Sequence, residues 1–139
     1  MIAVDSSVII AGLLGWHEFH ERAAASLEKA LARKHLLIPF PALVESYSVM
    51  TRLPSSHRVR SDVAYQLLHD SFGQVRVAAL PANKAWPFLR DCQASEVAGG
   101  RTYDALIAII AIEAGASEIL TFNPRHFDSF SALLRVTVP

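Results

Sequence analysis

Residues 1–14 read MIAVDSSVIIAGLL. The short apolar run Ile2–Val4 stops at Asp5, and the apolar positions after it change period, so the stretch predicts a buried strand followed directly by a helix capped by Ser6 or Ser7. Such a join puts a carboxylate at a strand's C-terminal end. Next comes HEFHERAAASLEKALARK, from His17 to Lys34, with Phe19, Ala23, Leu27, Ala30 and Leu31 along one face of an amphipathic helix. LLIP, ahead of Pro39 and Pro41, predicts a second buried strand whose exit is set by proline. ALVESYSVMTRL carries Leu43, Tyr47, Met50 and Leu53 at helical spacing and stops at Pro54. After the turn PSS, RVRSDVAYQLLHDSF places Val59, Val63, Leu67 and Leu68 on one face and ends at Gly73.

The second half continues the alternation. VRVAAL predicts a strand, and PANKAWPFLRDCQASEVAGG a helix that opens on Pro81 and closes on two glycines. RTYDALIAIIAIEAG is apolar nearly all round from Ala105 to Ile112, the mark of a buried helix. EILT and LRVTV are strands on either side of a loop, FNPRHFDSF. Strands alternate with helices and no hairpin signal intervenes, so the expected fold is three-layer α/β/α with a central, mostly parallel sheet. The 139 residues fit one domain, 1–139.

Composition narrows the classes. With 52% apolar residues and a positive mean hydropathy, the chain is not disordered. Its longest uncharged apolar stretches, VIIAGLLGW and ALIAIIAI, fall far short of the roughly 20 residues of a membrane span. The opening MIAVD lacks the basic region of a secretory signal, so a cytoplasmic location is expected. The lone Cys92 rules out an internal disulfide or a zinc-thiolate cluster and reads as a partly buried helix residue. Thirteen basic and thirteen acidic residues balance, so any contact with nucleic acid must be local rather than a general coating.

Three acidic residues carry the chemistry. Asp5 lies where open α/β sheets build their sites, beyond the strands' C-terminal ends; capping the next helix explains an Asp there equally well. Glu45 has Ala42, Ser48 and Val49 on its helix face, while an exposed helix glutamate is the simpler account of the residue taken alone. Asp104 leads the most apolar helix of the chain, where compensation of the helix dipole competes with a functional role. The case rests on their combination at one inferred sheet edge. Carboxylates gathered closely raise one another's pKa unless a divalent cation compensates. Oxygen ligands without His or Cys suit Mg²⁺ or Mn²⁺, which points to phosphodiester cleavage.

Asp5 in AVDSSVII, Glu45 in PALVESYSVM, Asp104 in YDALIAIIAIEAGA and the closing ILTFNPRHF stand in an order that resembles the PIN domain, and more narrowly VapC-type toxins of toxin–antitoxin pairs. The resemblance runs from Ile2 to Phe127. It implies a Mg²⁺-dependent endoribonuclease, acting on tRNA or ribosomal RNA, with Asp5 and Asp104 as metal ligands and Glu45 completing the acidic cluster by ligating the metal or orienting water. It also implies supporting hydroxyls at Ser7 or Thr121, a homodimer, and a small antitoxin that inserts a basic side chain near the acids. Asn123 departs from the family pattern, in which many members carry an acidic residue. An amide oxygen can face a metal or its waters but takes no proton. Asp128 is a weaker stand-in for that acid, since a loop Asp near a helix end is the better account of it.

Arg52, His57, Arg58 and Arg60 cluster around the PSS turn as either a phosphate-contacting patch or a solvated loop. His126 is placed to approach the acids. Trp16, Phe19 and Trp86 read as core more readily than as base-stacking or subunit-contact residues. Two other readings compete: a PIN fold with weak or lost catalysis that binds RNA or protein, and a stand-alone RNA-processing nuclease. A haloacid dehalogenase also starts with an Asp after a strand, but needs a second Asp where Ser7 stands.

Overall fold

A computed structural model describes all residues from Met1 to Pro139. The elements are β1 (Ile2–Val4), α1 (Ser6–Leu13), α2 (His20–Ala32), β2 (Leu36–Pro39), α3 (Phe40–Thr51), α4 (Ser61–Phe72), β3 (Arg76–Ala78), α5 (Ala85–Ala94), α6 (Arg101–Glu113), β4 (Glu118–Leu120) and β5 (Arg135–Thr137). Short 3-10 helices cover Ala82–Lys84 and Pro124–Phe130. The strands form one sheet of order β3-β2-β1-β4-β5, and every pair is parallel. Successive strand residues face opposite sides of a sheet. Ala3 and Val4 are both fully buried, as is every residue of β2, so helices cover both faces, as a parallel sheet requires. The expected three-layer α/β/α fold is borne out, and its sheet is wholly parallel.

The order of strands positions the site. From β1 the chain builds outward through β2 to β3, then returns to place β4 on the other side of β1. The direction of winding thus reverses between β1 and β4, and open α/β sheets bind ligands in the crevice beyond the C-terminal ends of two such strands. Asp5 follows β1 directly, and its N–H donates to the Leu120 carbonyl of β4 at 3.0 Å. The core packs around this centre, with Val8, Ile9, Leu37, Ile38, Ile107, Ile119 and Phe127 fully buried. Gly12 lets α1 lie close on α2, since a Cβ there would stand 2.5 Å from Leu27 Cδ1. Gly115, at φ +89, makes the left-handed turn from α6 toward β4 that other residues resist.

Several local expectations shift. The cap of α1 is Asp5 itself, whose side chain accepts from Ser6 N, rather than Ser6 or Ser7. The helix expected from His17 starts at His20, because His17 Nδ1 accepts from Phe19 N in a turn. On α3 the buried stripe is Ala42, Ser46 and Met50, and Tyr47 is 39% exposed. On α4 it is Ala64, Leu68 and Phe72, a regular four-residue repeat, leaving Val63 outside. The helix expected from Pro81 to Gly100 divides into the 3-10 turn and α5, which ends at Ala94. The loop FNPRHFDSF contains the second 3-10 helix and anchors itself through Phe127. Trp16 and Trp86 are 52% and 80% exposed and do not belong to the core, while Phe19 packs at its margin. Cys92 is buried, as expected.

Candidate active site

Beyond the β1–β4 edge lies a pocket of about 310 Å³ with no hydrophobic residue in its lining: Asp5, Ser6, Glu45, Gly100, Arg101, Asp104, Asn123 and His126. Four elements supply it. Asp5 comes from the end of β1, Glu45 from the second turn of α3, Asp104 from the first turn of α6, and Asn123 from the segment after β4. All four residues singled out in the sequence thus reach one pocket. Ser7 and Thr121 stand behind it and hold Asp5 rather than lining it. Asp128 does not line it.

Asp5 is the best-defined group. It is only 4% exposed, and its Oδ1 accepts from Ser6 N at 2.8 Å while its Oδ2 accepts from Ser7 Oγ at 2.8 Å and from Thr121 Oγ1 at 2.9 Å. A hydroxyl has one proton to donate. Both hydroxyls spend it on Oδ2, and their lone pairs take backbone N–H groups: Phe122 N donates to Ser7 Oγ at 3.0 Å, and Asn123 N to Thr121 Oγ1 at 2.9 Å. The network therefore has a single sense, and it locks the carboxylate in one orientation with no cation in contact.

Asp104 is arranged differently. Its side chain is 18% exposed and its Oδ2 lies 3.1 Å from His126 Nδ1. Burial raises its pKa above the ordinary carboxylate value; His126 and Arg101 draw it back, and the charges of Asp5 and Glu45 push it further up. Asp104 is thus close enough to both Asp5 and Glu45 to feel their charge. Glu45 is partly buried. No three His, Cys, Asp or Glu side chains in the chain are already drawn together tightly enough to hold a metal ion. The acids stand around the pocket as separate walls. An all-oxygen donor set with space between its members fits Mg²⁺, which keeps several of its waters and takes only one or two carboxylates directly.

Arg101 was missed in the sequence. It precedes Asp104 by three residues, hence shares its side of α6, and that spacing was the available signal. Its Nη2 donates to the Arg125 carbonyl at 3.4 Å, and the residue lines the pocket.

Comparison with known proteins places this geometry. The model of the PIN domain family matches residues 2–133. The chain belongs to the PIN domain family. Ribonuclease VapC40 of Mycobacterium tuberculosis is 38% identical to this PIN domain over 133 residues, 96% of this chain and 94% of the relative. Ribonuclease VapC27 of Mycobacterium tuberculosis H37Rv is 33% identical over 132 residues, 95% and 91% of the two chains. Among solved structures, Mycobacterium tuberculosis VapC20, a sarcin-ricin loop cleaving toxin, superposes with a TM-score of 0.68 over 95% of each chain at 16% identity, a likeness of fold. No helix of this PIN domain is long and apolar enough to cross a membrane.

Proposed function

We propose that this PIN domain is a divalent-metal-dependent endoribonuclease that acts in the cytoplasm as the toxin of a toxin–antitoxin pair. The observation that carries this reading is a polar pocket at the sheet's switch point walled by Asp5, Glu45 and Asp104, in a chain 38% identical to a named ribonuclease. Asp5, Glu45 and Asp104 are the oxygen donors for a Mg²⁺ or Mn²⁺ ion, which when bound offsets charge on the phosphoryl oxygens and makes a water more acidic.

The chain's own residues set the geometry. Ser7 and Thr121 keep Asp5 aimed, so that it need not reorganise as substrate charge develops. Arg101 and His126 face the same pocket as the acids, and a phosphodiester entering there meets the guanidinium as its nearest fixed cation. Asn123 offers an amide that hydrogen-bonds water or substrate without accepting a proton, so proton removal falls to Asp104 or Glu45. A structured RNA is the expected substrate, tRNA or ribosomal RNA. A homodimer and a small antitoxin carrying a basic side chain for the acidic pocket complete the expected assembly.

Asn123 favours one second reading, a PIN fold with weakened catalysis that binds RNA. Incubating total tRNA and ribosomal RNA with wild type, Asp5→Ala and Asp104→Ala, with and without Mg²⁺, separates the two. Mg²⁺-dependent cleavage lost in both variants supports the nuclease. Cleavage that persists in both variants or ignores the metal overturns it, and inactive wild type restored by Asn123→Asp supports the weakened site.

A further inference from the structure

Five rings form one row that ends at Phe122, in the segment after β4. The His57 ring, in the turn between α3 and α4, lies 4.2 Å from Trp16, centroid to centroid, with the planes tilted by 31°. His17 follows at 6.1 Å from Trp16, Phe19 at 5.8 Å from His17, and Phe122 stacks on Phe19 at 4.7 Å and 22°. Phe122 ties the row to the chemistry. Its N–H donates to Ser7 Oγ, which holds Asp5, and its chain neighbours are Thr121, bonded to Asp5, and Asn123, which lines the pocket.

Single exposed aromatics are ordinary on protein surfaces and need no function. This row differs in three respects. Its inner end is bonded, through the Phe122 N–H, to the hydroxyl that holds Asp5. Its outer end is open to solvent, Trp16 at 52% exposure and His57 exposed beside it. It is accompanied by positive charge at its open end: Arg52 and Arg58 are exposed on either side of the turn that holds His57, while Arg22, over Phe19 and Phe122 at 5.5 and 5.7 Å from the ring centroids, donates to the Pro139 carbonyl. Flat ring faces with cations alongside are what single-stranded nucleic acid recognises, because unpaired bases stack on the rings while the backbone follows the charge. A duplex keeps its base faces to itself.

We infer that the row from His57 through Trp16 to Phe122 is a stacking platform for unpaired RNA bases that flank the cleaved phosphodiester. The inference rests on the ribonuclease reading above. Trp16 and His57 supply the open faces, and the partly buried Phe19 and Phe122 fix the direction of the row toward Asp5.

The chain has two tryptophans, so Trp86→Phe, at an 80% exposed position, leaves Trp16 as a lone fluorescent reporter. In an Asp5→Asn background, which keeps the RNA whole, a short unstructured oligoribonucleotide quenches Trp16 and a blunt duplex of equal length does not. Trp16→Ala weakens binding of the single strand, read by anisotropy of labelled RNA, by roughly 5- to 150-fold, the range set by one stacked base. Trp16→Phe recovers most of it, and His57→Ala reproduces part of the loss. Single-stranded RNA that binds with Trp16 unquenched, and equally well to Trp16→Ala, overturns the platform while leaving the nuclease intact. A Trp16 signal that follows protein concentration instead of RNA also overturns it, in favour of a contact between copies. Absence of both RNA binding and cleavage by wild type removes the ribonuclease reading and the platform with it.

Discussion

Asp104 and Glu118 stand at opposite ends of the same sheet, and the protein treats them in opposite ways. Glu118, at the first residue of β4, is pushed up in pKa by burial. Hydrogen bonds from Thr137 and Arg135 and the charges of Arg135 and Lys29 outweigh that push and hold its carboxyl below the usual range. Arg135 Nη2 reaches it at 2.6 Å across the β4–β5 ladder. Asp104, at the head of α6, is also raised by burial, but its neighbours include two more carboxylates and its direct partner is an exposed histidine. At one edge of the sheet a buried acid has been satisfied. At the other, acids are gathered and their charge is left for something outside the chain to meet. Structural carboxylates need the first treatment, and metal or phosphate chemistry needs the second.

The largest test of this contrast compares Asp5→Ala with Glu118→Ala. The first should abolish RNA cleavage, a loss beyond the roughly 10- to 100-fold that follows removal of a ligand's supporting partner. It should also destabilise the fold by about 1 kcal/mol through the lost cap of α1. Glu118→Ala should lower Tm and leave the specific activity of folded protein unchanged. Equal losses of activity in the two variants would erase the distinction between the edges.

Next in size are the hydroxyls behind Asp5. Thr121→Val keeps the shape of a fully buried side chain, yet takes one donor from Asp5 Oδ2 and leaves Asn123 N without its acceptor. Cleavage should fall roughly 10- to 100-fold, with a matching rise in the Mg²⁺ concentration for half-maximal rate. Ser7→Ala should do the same by the parallel route. A normal Mg²⁺ requirement in both variants would mean that the network serves only the fold.

Much of this was readable from the residues. The alternation of strands and helices was plain because a parallel sheet buries both faces, so IAV, LLIP and EILT are apolar without interruption. Asp5, Glu45, Asp104 and Asn123 were legible because each stands at a strand end or in an early helical turn, and such positions converge beyond a parallel sheet. The faces of α3 and α4 were not. Ser46 is fully buried by donating its hydroxyl to the Ala42 carbonyl at 2.7 Å, and Ala64 fills a place that the bulkier Val63 seemed to claim. Small and hydroxylic side chains carry little hydrophobic signal, so close helix packing hides from periodicity. Arg101 was missed because a charged residue at the start of a helix reads as ordinary solvent-facing charge, and its hydrogen bond to the Arg125 carbonyl joins it to a segment distant in sequence.

A smaller effect than lost catalysis is expected in metal-free stability. Asp104 has a raised folded pKa, so the folded form binds more protons than the unfolded chain between the two values. Stability therefore declines as pH rises through that interval, and the deficit is complete above the raised pKa. Asp104→Asn should raise Tm at pH 7 in the presence of a chelator, while abolishing activity. Mg²⁺ should reverse the ranking by stabilising wild type, by roughly 2.7 kcal/mol at 100 times its Kd, and not the variant. Thermal melts with chelator and with Mg²⁺ check both halves, and a variant less stable than wild type without metal would show that Asp104 is structural.

The smallest effect lies at the satisfied edge and has the opposite sign. Glu118 has a lowered folded pKa, so its contribution is present above the unfolded value near 4.5 and fades as pH falls through the folded one. Arg135 is 73% exposed, and solvent screening limits the pair to about 0.5–1 kcal/mol. Glu118→Gln should therefore lower Tm modestly at pH 7, and the gap from wild type should shrink below pH 4.5 and close once pH has fallen through the lower folded value, where the wild-type carboxyl takes up its proton. Added salt should narrow the gap at pH 7 for the same reason. Asp104→Asn and Glu118→Gln, each the loss of one negative charge from one sheet, would then move metal-free stability in opposite directions at neutral pH. Movement in the same direction would mean that net charge, rather than the local setting of each acid, governs the difference between the two edges.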